Sequence, residues 1–171
     1  KCCRRVSVYE KKPVALQFDY KVKMSDRENR IRATGFSKIT DVPGKDYPAA
    51  ILLLQKRWED ANGNVYAKRI GTMVTYYYHS TDWKNNVTYE IMYGDITNRP
   101  EYKAHMGCGL QATESYTVNS KGESVPIHEV AWGDENDVPT HMYIQFTSSH
   151  GGAYIGSPGN TLWVDNVKLV Y

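Results

Sequence analysis

Apolar and polar residues alternate with a period of two along most of this chain. Val14, Leu16, Phe18, Tyr20, Val22 and Met24 fall on one parity, with Gln17, Asp19, Lys21 and Lys23 on the other. Successive side chains of an extended strand point to opposite faces, so the pattern predicts a half-buried antiparallel strand over 14–24. The run Ala-Ala-Ile-Leu-Leu-Leu-Gln-Lys-Arg-Trp over 49–58 reads as a central strand, buried on both faces at its start. Asn62-Gly63 then marks a hairpin turn, and 65–78 is a long return strand through Val65, Ile70, Met73 and Tyr76, with Gly71 permitting a bend. Thr81-Asp82-Trp83 reads as a loop and 84–93 as a strand through Val87, Tyr89, Ile91 and Tyr93. Strands over 140–147 and 161–170 complete an all-β, two-layer antiparallel β-sandwich in one domain spanning 1–171.

Three places break the regularity. Residues 25–48 are polar and punctuated by Pro43-Gly44, which predicts a long loop with a short strand near 31–36. Residues 94–139 are too long for a plain connection in a compact domain and read as an insertion holding a hairpin, with Asn119-Ser120-Lys121-Gly122 as its turn. In the closing strand the alternation slips: Leu162 and Val164 share one parity, Val167 and Leu169 the other. A β-bulge at Asp165-Asn166 restores the register and predicts burial of all four.

The stretch Gly-Ser-Pro-Gly-Asn-Thr-Leu-Trp-Val-Asp-Asn-Val-Lys-Leu-Val over 156–170 resembles the closing motif of the carbohydrate metabolism domain family. Lys12-Pro13-Val14-Ala15-Leu16-Gln17-Phe18-Asp19-Tyr20-Lys21 resembles that family's entry strand. Pro139 to Ser149 resembles its penultimate strand, which ends in paired serines. The resemblance covers 139–171 well and 12–93 loosely. It implies a jelly-roll, galactose-binding-like module from surface and periplasmic lipoproteins of glycan-degrading Gram-negative bacteria. The outer membrane, cell surface or periplasm is the location it implies. The family usually has further strands ahead of the entry strand, so the chain is expected to be the later portion of a longer protein or a processed product.

Composition narrows the function. Fourteen Tyr against three Phe favour half-exposed strands and wet binding surfaces, because Tyr joins apolar area to a hydrogen-bonding tip. Good strand propensity alone explains most of these positions. The net charge is +2 with both signs interspersed, and Arg4, Arg5, Lys11 and Lys12 form a cluster rather than a stripe, which argues against nucleic acid. Cys2, Cys3 and Cys108 do not make a disulfide framework: one of the adjacent pair is in a position to reach Cys108, leaving the other free. No signal peptide or membrane-spanning run is visible.

Sugar recognition needs aromatic platforms together with amides and carboxylates that reach hydroxyls. Trp132, Trp83, Tyr102, Tyr116 and Tyr154 are the candidate ligand-binding residues, with Trp132 favoured beside the acidic run Gly133-Asp134-Glu135-Asn136-Asp137. A loop Trp folded back as a plug is the competing reading. Trp58 ends a strand and suits either role, and Trp163 reads as structural. Asp165 is a candidate ligand for a structural calcium, as is the acidic loop, since hard cations gather carboxylate and carbonyl oxygens. A solvated loop and a bulge-bonding Asp165 are the simpler readings, and no other cofactor is indicated.

Catalytic signals are weak. The carboxylates Glu90 with Asp95 and Glu129 with Asp134 do not form a recognisable glycosidase pair. His79, His105, His128, His141 and His150 are dispersed without metal-ligand spacing. The leading expectation is a non-catalytic glycan-binding module accessory to a bacterial polysaccharide uptake or degradation system. Two alternatives stand beside it: a structural or assembly subunit of an outer-membrane protein complex without a sugar site, and an unrecognised glycosidase or lyase.

Overall fold

The computed structural model describes residues 11–36, 38–109 and 115–171. Twelve strands make up the described residues: β1 (Ala15–Lys23), β2 (Arg30–Arg32), β3 (Thr40–Val42), β4 (Ala49–Glu59), β5 (Val65–Tyr76), β6 (Thr81–Glu90), β7 (Met92–Tyr93), β8 (Tyr116–Val118), β9 (Ser124–Trp132), β10 (His141–Thr147), β11 (Ile155–Gly156) and β12 (Thr161–Val170). A single 3-10 turn, Ala104–Met106, is the only helical element among them. No helix of the described residues is long and apolar enough to cross a membrane. The fold is the all-β sandwich that the alternation predicts.

One layer is a three-stranded sheet in the order β12-β1-β6. The other is a six-stranded sheet in the order β10-β4-β5-β9-β8, with β7 paired to β5 beyond the end of β9. All pairings are antiparallel except β5 with β9. A small third sheet, β11-β2-β3, packs the polar 25–48 segment against the last turn of the chain.

The core lies between the two larger sheets. Leu16, Phe18 and Val22 of β1 meet Ala50, Leu52 and Leu54 of β4, Met73 of β5, and the buried Tyr77 and Ile91. Phe18 sits at the centre, stacked on Tyr89 at 5.2 Å and edge-on to Phe146 at 5.0 Å. Burying each such side chain contributes roughly 1.5–3 kcal/mol of transfer free energy. Gly71 is required by this packing: a Cβ there would lie 3.0 Å from Ile91 Cγ2 and 3.0 Å from Leu54 Cδ1.

Two expectations are corrected. Thr81-Asp82-Trp83 is not a loop but the start of β6, drawn into the sheet by pairing of Thr81 with Val22. The closing strand does carry a bulge, but Val167 remains 45% exposed while Leu162, Val164 and Leu169 pack on the core. Between Gln17 and Asp19 the partner register moves from Lys168 to Asp165, so β12 holds one extra residue. Asn166 takes it up at φ 52°, a left-handed conformation that Asn tolerates, and Val167 is left on the solvent side.

Candidate functional site

The face of the six-stranded sheet turned away from the core is partly covered by the insertion and carries polar and aromatic side chains among buried ones. Directly paired residues share a face, which sets three rows across β10, β4 and β5: Tyr143 with Leu53 and Thr72, Gln145 with Ile51 and Val74, Thr147 with Ala49 and Tyr76. The opposite parity, Met142, Ile144, Phe146, Leu52, Leu54 and Met73, goes to the core. Tyr143 donates its hydroxyl to Gln145 Oε1 at 2.7 Å, tying neighbouring polar residues of this face together.

Over the β5 side of the face lies the first part of the insertion. Met92, Ile96 and Met106 form a small apolar cluster, with Val74, Tyr102 and Trp132 packed against it. Burial of Met106 anchors the 3-10 turn, and the turn sets the His105 ring on Tyr76 at 4.1 Å between centroids and 13° between planes. Tyr76 also meets His150 at 4.9 Å, His150 stacks on Tyr47 at 5.5 Å, and Tyr47 meets Tyr78 edge-on at 4.7 Å. The result is a continuous ladder of five rings, Tyr78–Tyr47–His150–Tyr76–His105. Tyr78 is exposed and the other four are half-buried, and Lys103 Nζ lies 6.0 Å above the Tyr78 ring.

Asp46 holds the ladder's centre. Its side chain is buried, and Oδ1 lies 3.0 Å from His150 Nδ1 and accepts the backbone N–H groups of Tyr47 and His150, each at 3.1 Å. Its Oδ2 accepts the Ser157 N–H at 3.0 Å. Burial pushes the Asp46 carboxyl up, but the bonds from His150, Ser149 and Ser157 outweigh it and hold the group below the usual carboxylate range. The Tyr47 N–H also faces His150 Nδ1 at 3.0 Å, so the carboxylate and this N–H compete to set the imidazole tautomer. Burial, helped by Lys103 and His150, lowers the His105 pKa, and burial raises that of Tyr76.

A second polar cluster lies farther along the same sheet. Arg69, 1% exposed, forms a forked ion pair with Glu129, donates to the Met106 carbonyl at 2.7 Å and stands 5.4 Å from the Trp132 ring. Glu129 also accepts from Gln55 Nε2 at 2.6 Å and from the Gly109 N–H at 3.2 Å. Burial pushes the Glu129 carboxyl up, and Arg69 and Gln55 more than reverse it. Cys108, half-buried near the pair and the one cysteine among the described residues, has its thiol pushed up by burial. Cys2 and Cys3 lie outside the described residues.

Of the aromatic residues singled out by sequence, Trp132 and Tyr102 come to the same apolar cluster and the others lie apart. Trp132 does not lie in a loop: it closes β9, half-buried between Arg69 and the Met92–Ile96–Met106 cluster. Tyr102 packs on the same cluster. Tyr116 is exposed on the edge strand β8, and Tyr154 is 70% exposed at φ 63° in the turn before β11. Trp83 is exposed on β6, where Asp82 reaches Lys21 at 3.5 Å and Lys21 in turn lies 5.9 Å from the Trp163 ring. Trp163, paired with Lys21 in the sheet, is 41% exposed. Trp58, also exposed, stacks on Tyr66 at 5.8 Å.

For calcium the donors do not fit. Asp165 Oδ1 accepts the Asn166 N–H at 2.8 Å, and the acidic loop spends Asp134 on the Asn136 N–H and Asp137 on Lys56. No group of three or more His, Cys, Asp or Glu gathers in a metal-binding arrangement among the described residues. The ring ladder is not legible in the sequence because its histidines are 45 residues apart and its tyrosines fall on two distant segments. One signal was present. In Tyr76-Tyr77-Tyr78 the middle ring belongs to the core parity, which commits its two neighbours to the other side.

No family model, curated protein or solved structure matches this chain.

Proposed function

We propose that this protein is a non-catalytic glycan-binding module whose sugar-binding surface runs along the ladder Tyr78–Tyr47–His150–Tyr76–His105. The ladder is the single observation that carries the reading. The exposed ring of Tyr78 and the edges of the half-buried rungs, with Lys103 beside them, suit the alternating apolar faces and hydroxyl edges of a sugar chain. The resemblance of 12–21, 139–149 and 156–170 to the carbohydrate metabolism domain family supports the same reading. With it comes a place at the surface or in the periplasm of a Gram-negative bacterium, beside a polysaccharide uptake or degradation system.

The two buried carboxylates around this face favour binding over hydrolysis. Asp46 and Glu129 are each committed to several hydrogen bonds within the protein, whereas glycoside cleavage needs a free pair flanking the bond. A glycan-array screen followed by calorimetry on the hits tests the reading. Tyr76→Ala and His105→Ala are expected to weaken binding by about 1–3 kcal/mol each, the range for truncating a good aromatic anchor. Binding that ignores both changes would refute it.

The assembly reading has one observation of its own. Tyr116, Val118 and Val130 are exposed together on the β8–β9 hairpin, at the edge of the large sheet. Capture of an outer-membrane partner that is lost on Val118→Lys, with no array hit, would favour it.

A further inference from the structure

Past Tyr78 the surface opens into a recess of about 400 Å³. Its walls come from four separate segments: the turn after β1, the residues ahead of β4, the β5–β6 connection and the last turn before β12. The segments are bonded to one another. Ser25 N–H donates to Asn160 Oδ1 at 2.8 Å, Asn160 Nδ2 to the Asp46 carbonyl at 3.1 Å, and Met24 N–H to Ser80 Oγ at 2.9 Å. The recess is therefore preformed rather than a gap between loose loops.

Three features say what it would hold. Ser157, 8% exposed, lines it with a buried hydroxyl that has no hydrogen-bond partner, and such a group is expensive to leave unmade. Five charged residues line it: Lys45 pairs with Glu28 at 3.0 Å, Arg27 pairs with Asp41 beyond the lining at 3.6 Å, Asp46 is committed to His150 and backbone N–H groups, and Asp26 gives the lining one more carboxylate than cations. That excess of negative charge disfavours a phosphate or a carboxylate, and the acidic side chains do not gather into a metal-binding group among the described residues. Tyr78 supplies the aromatic wall, and the same ring is the outer rung of the ladder.

Resting on the glycan reading above, the geometry points to this recess as a subsite for one neutral, uncharged sugar residue of the chain that lies along the ladder. Its volume is at the low end of the ~300–1,000 Å³ that holds small ligands, matching a sugar ring rather than a long oligosaccharide. Hydroxyl groups would find Ser80 and Asn160, with the buried Ser157 hydroxyl beneath them, and a ring face would find Tyr78. The subsite narrows the ligand class to neutral glycans over polyuronates.

Amide-resolved NMR titration of the full chain tests this, with glucose, galactose, mannose, xylose and N-acetylglucosamine as separate probes and glucuronate and glucose 6-phosphate as charged controls. At least one neutral sugar is expected to shift the Ser80, Ser157 and Asn160 amides saturably in the millimolar range. The charged controls should not. His79→Trp, an exposed lining residue enlarged to fill the recess, should abolish those shifts. Unmoved recess amides with every neutral sugar, stronger shifts from the charged controls, or shifts that survive His79→Trp would each overturn the subsite. If an array-selected oligosaccharide shifts Tyr76 and His105 but not the recess, the subsite fails and the ladder stands. If it shifts neither, both fail.

Discussion

Asn166 donates its side-chain amide to Oδ2 of Asp19 at 2.6 Å, across the pair formed by the closing strand and the entry strand. On the other flank, the backbone N–H of Asn86 donates to Oδ1 of the same carboxylate at 2.6 Å. Both asparagines are left-handed, at φ 52° and 53°, and each marks a point where its strand carries one residue more than β1. One buried carboxylate thus ties together two bulges, one on each side of the central strand. This explains why Asp19, on the polar parity, is only 8% exposed.

Asp19→Ala removes the acceptor for both bulges and is expected to lower the urea midpoint clearly, whereas Asp165→Ala, on the exposed residue beside the bulge, should leave it nearly unchanged. The bonds from Asn86 and Asn166 hold the Asp19 carboxyl below its ordinary value of 3.8. A depressed carboxylate contributes stability above the unfolded pKa and loses it as pH falls through the folded one. The difference in midpoint between wild type and Asp19→Ala should therefore persist at neutral pH and shrink only in strong acid.

Glu129→Ala leaves the Arg69 guanidinium buried without its carboxylate and is expected to destabilise by about 3–5 kcal/mol. Replacing both residues with methionine should recover much of that loss, since the pair itself had to be desolvated. Chemical denaturation of the two variants decides it. A double variant as unstable as the single one would show that the pair contributes net stability.

The fold was legible from residues 14–24, 49–58 and 140–147 because one face of each strand is buried and the parity of apolar residues records it. The twin bulges were half legible. The slip at Asp165-Asn166 could be seen in β12, but β6 hides its own extra residues among Trp83, Lys84, Asn85 and Asn86, where no apolar side chain marks the parity. The candidate site was scarcely legible. His105 meets Tyr76 only because Met92, Ile96 and Met106 dock the insertion onto the sheet, and that contact is set by packing between segments rather than by spacing within one. Trp132 misled for the converse reason: its polar sequence neighbours conceal an apolar cluster supplied from elsewhere.

Acid should loosen the ladder before it unfolds the sandwich. Burial and the nearby Lys103 and His150 place the His105 pKa below its ordinary 6.5, so the fold favours the neutral ring. That contribution is complete above the unfolded value and is lost as pH falls from there through the lowered folded value. Hydrogen exchange of the Lys103–Gly107 amides, relative to their intrinsic rates, is expected to quicken as pH falls below about 6.5. In His105→Phe the same amides should show no such step beyond the intrinsic change in exchange rate.

Tyr76 and Trp132 separate the two ways an aromatic ring can matter here. Trp132 is half-buried against the Met92–Ile96–Met106 cluster and beneath Arg69, so Trp132→Ala should act on stability, by up to about 3 kcal/mol, the low end for truncating a large aromatic side chain. Its effect on glycan affinity per folded molecule should be negligible. Tyr76→Ala removes the rung between His105 and His150 and should do the reverse, weakening a bound glycan roughly 10- to 100-fold while moving the melting temperature less. Calorimetric affinity and thermal unfolding measured side by side on the two variants give four numbers. A Trp132→Ala protein that folds normally but no longer binds would move the sugar surface off the ladder and onto the insertion.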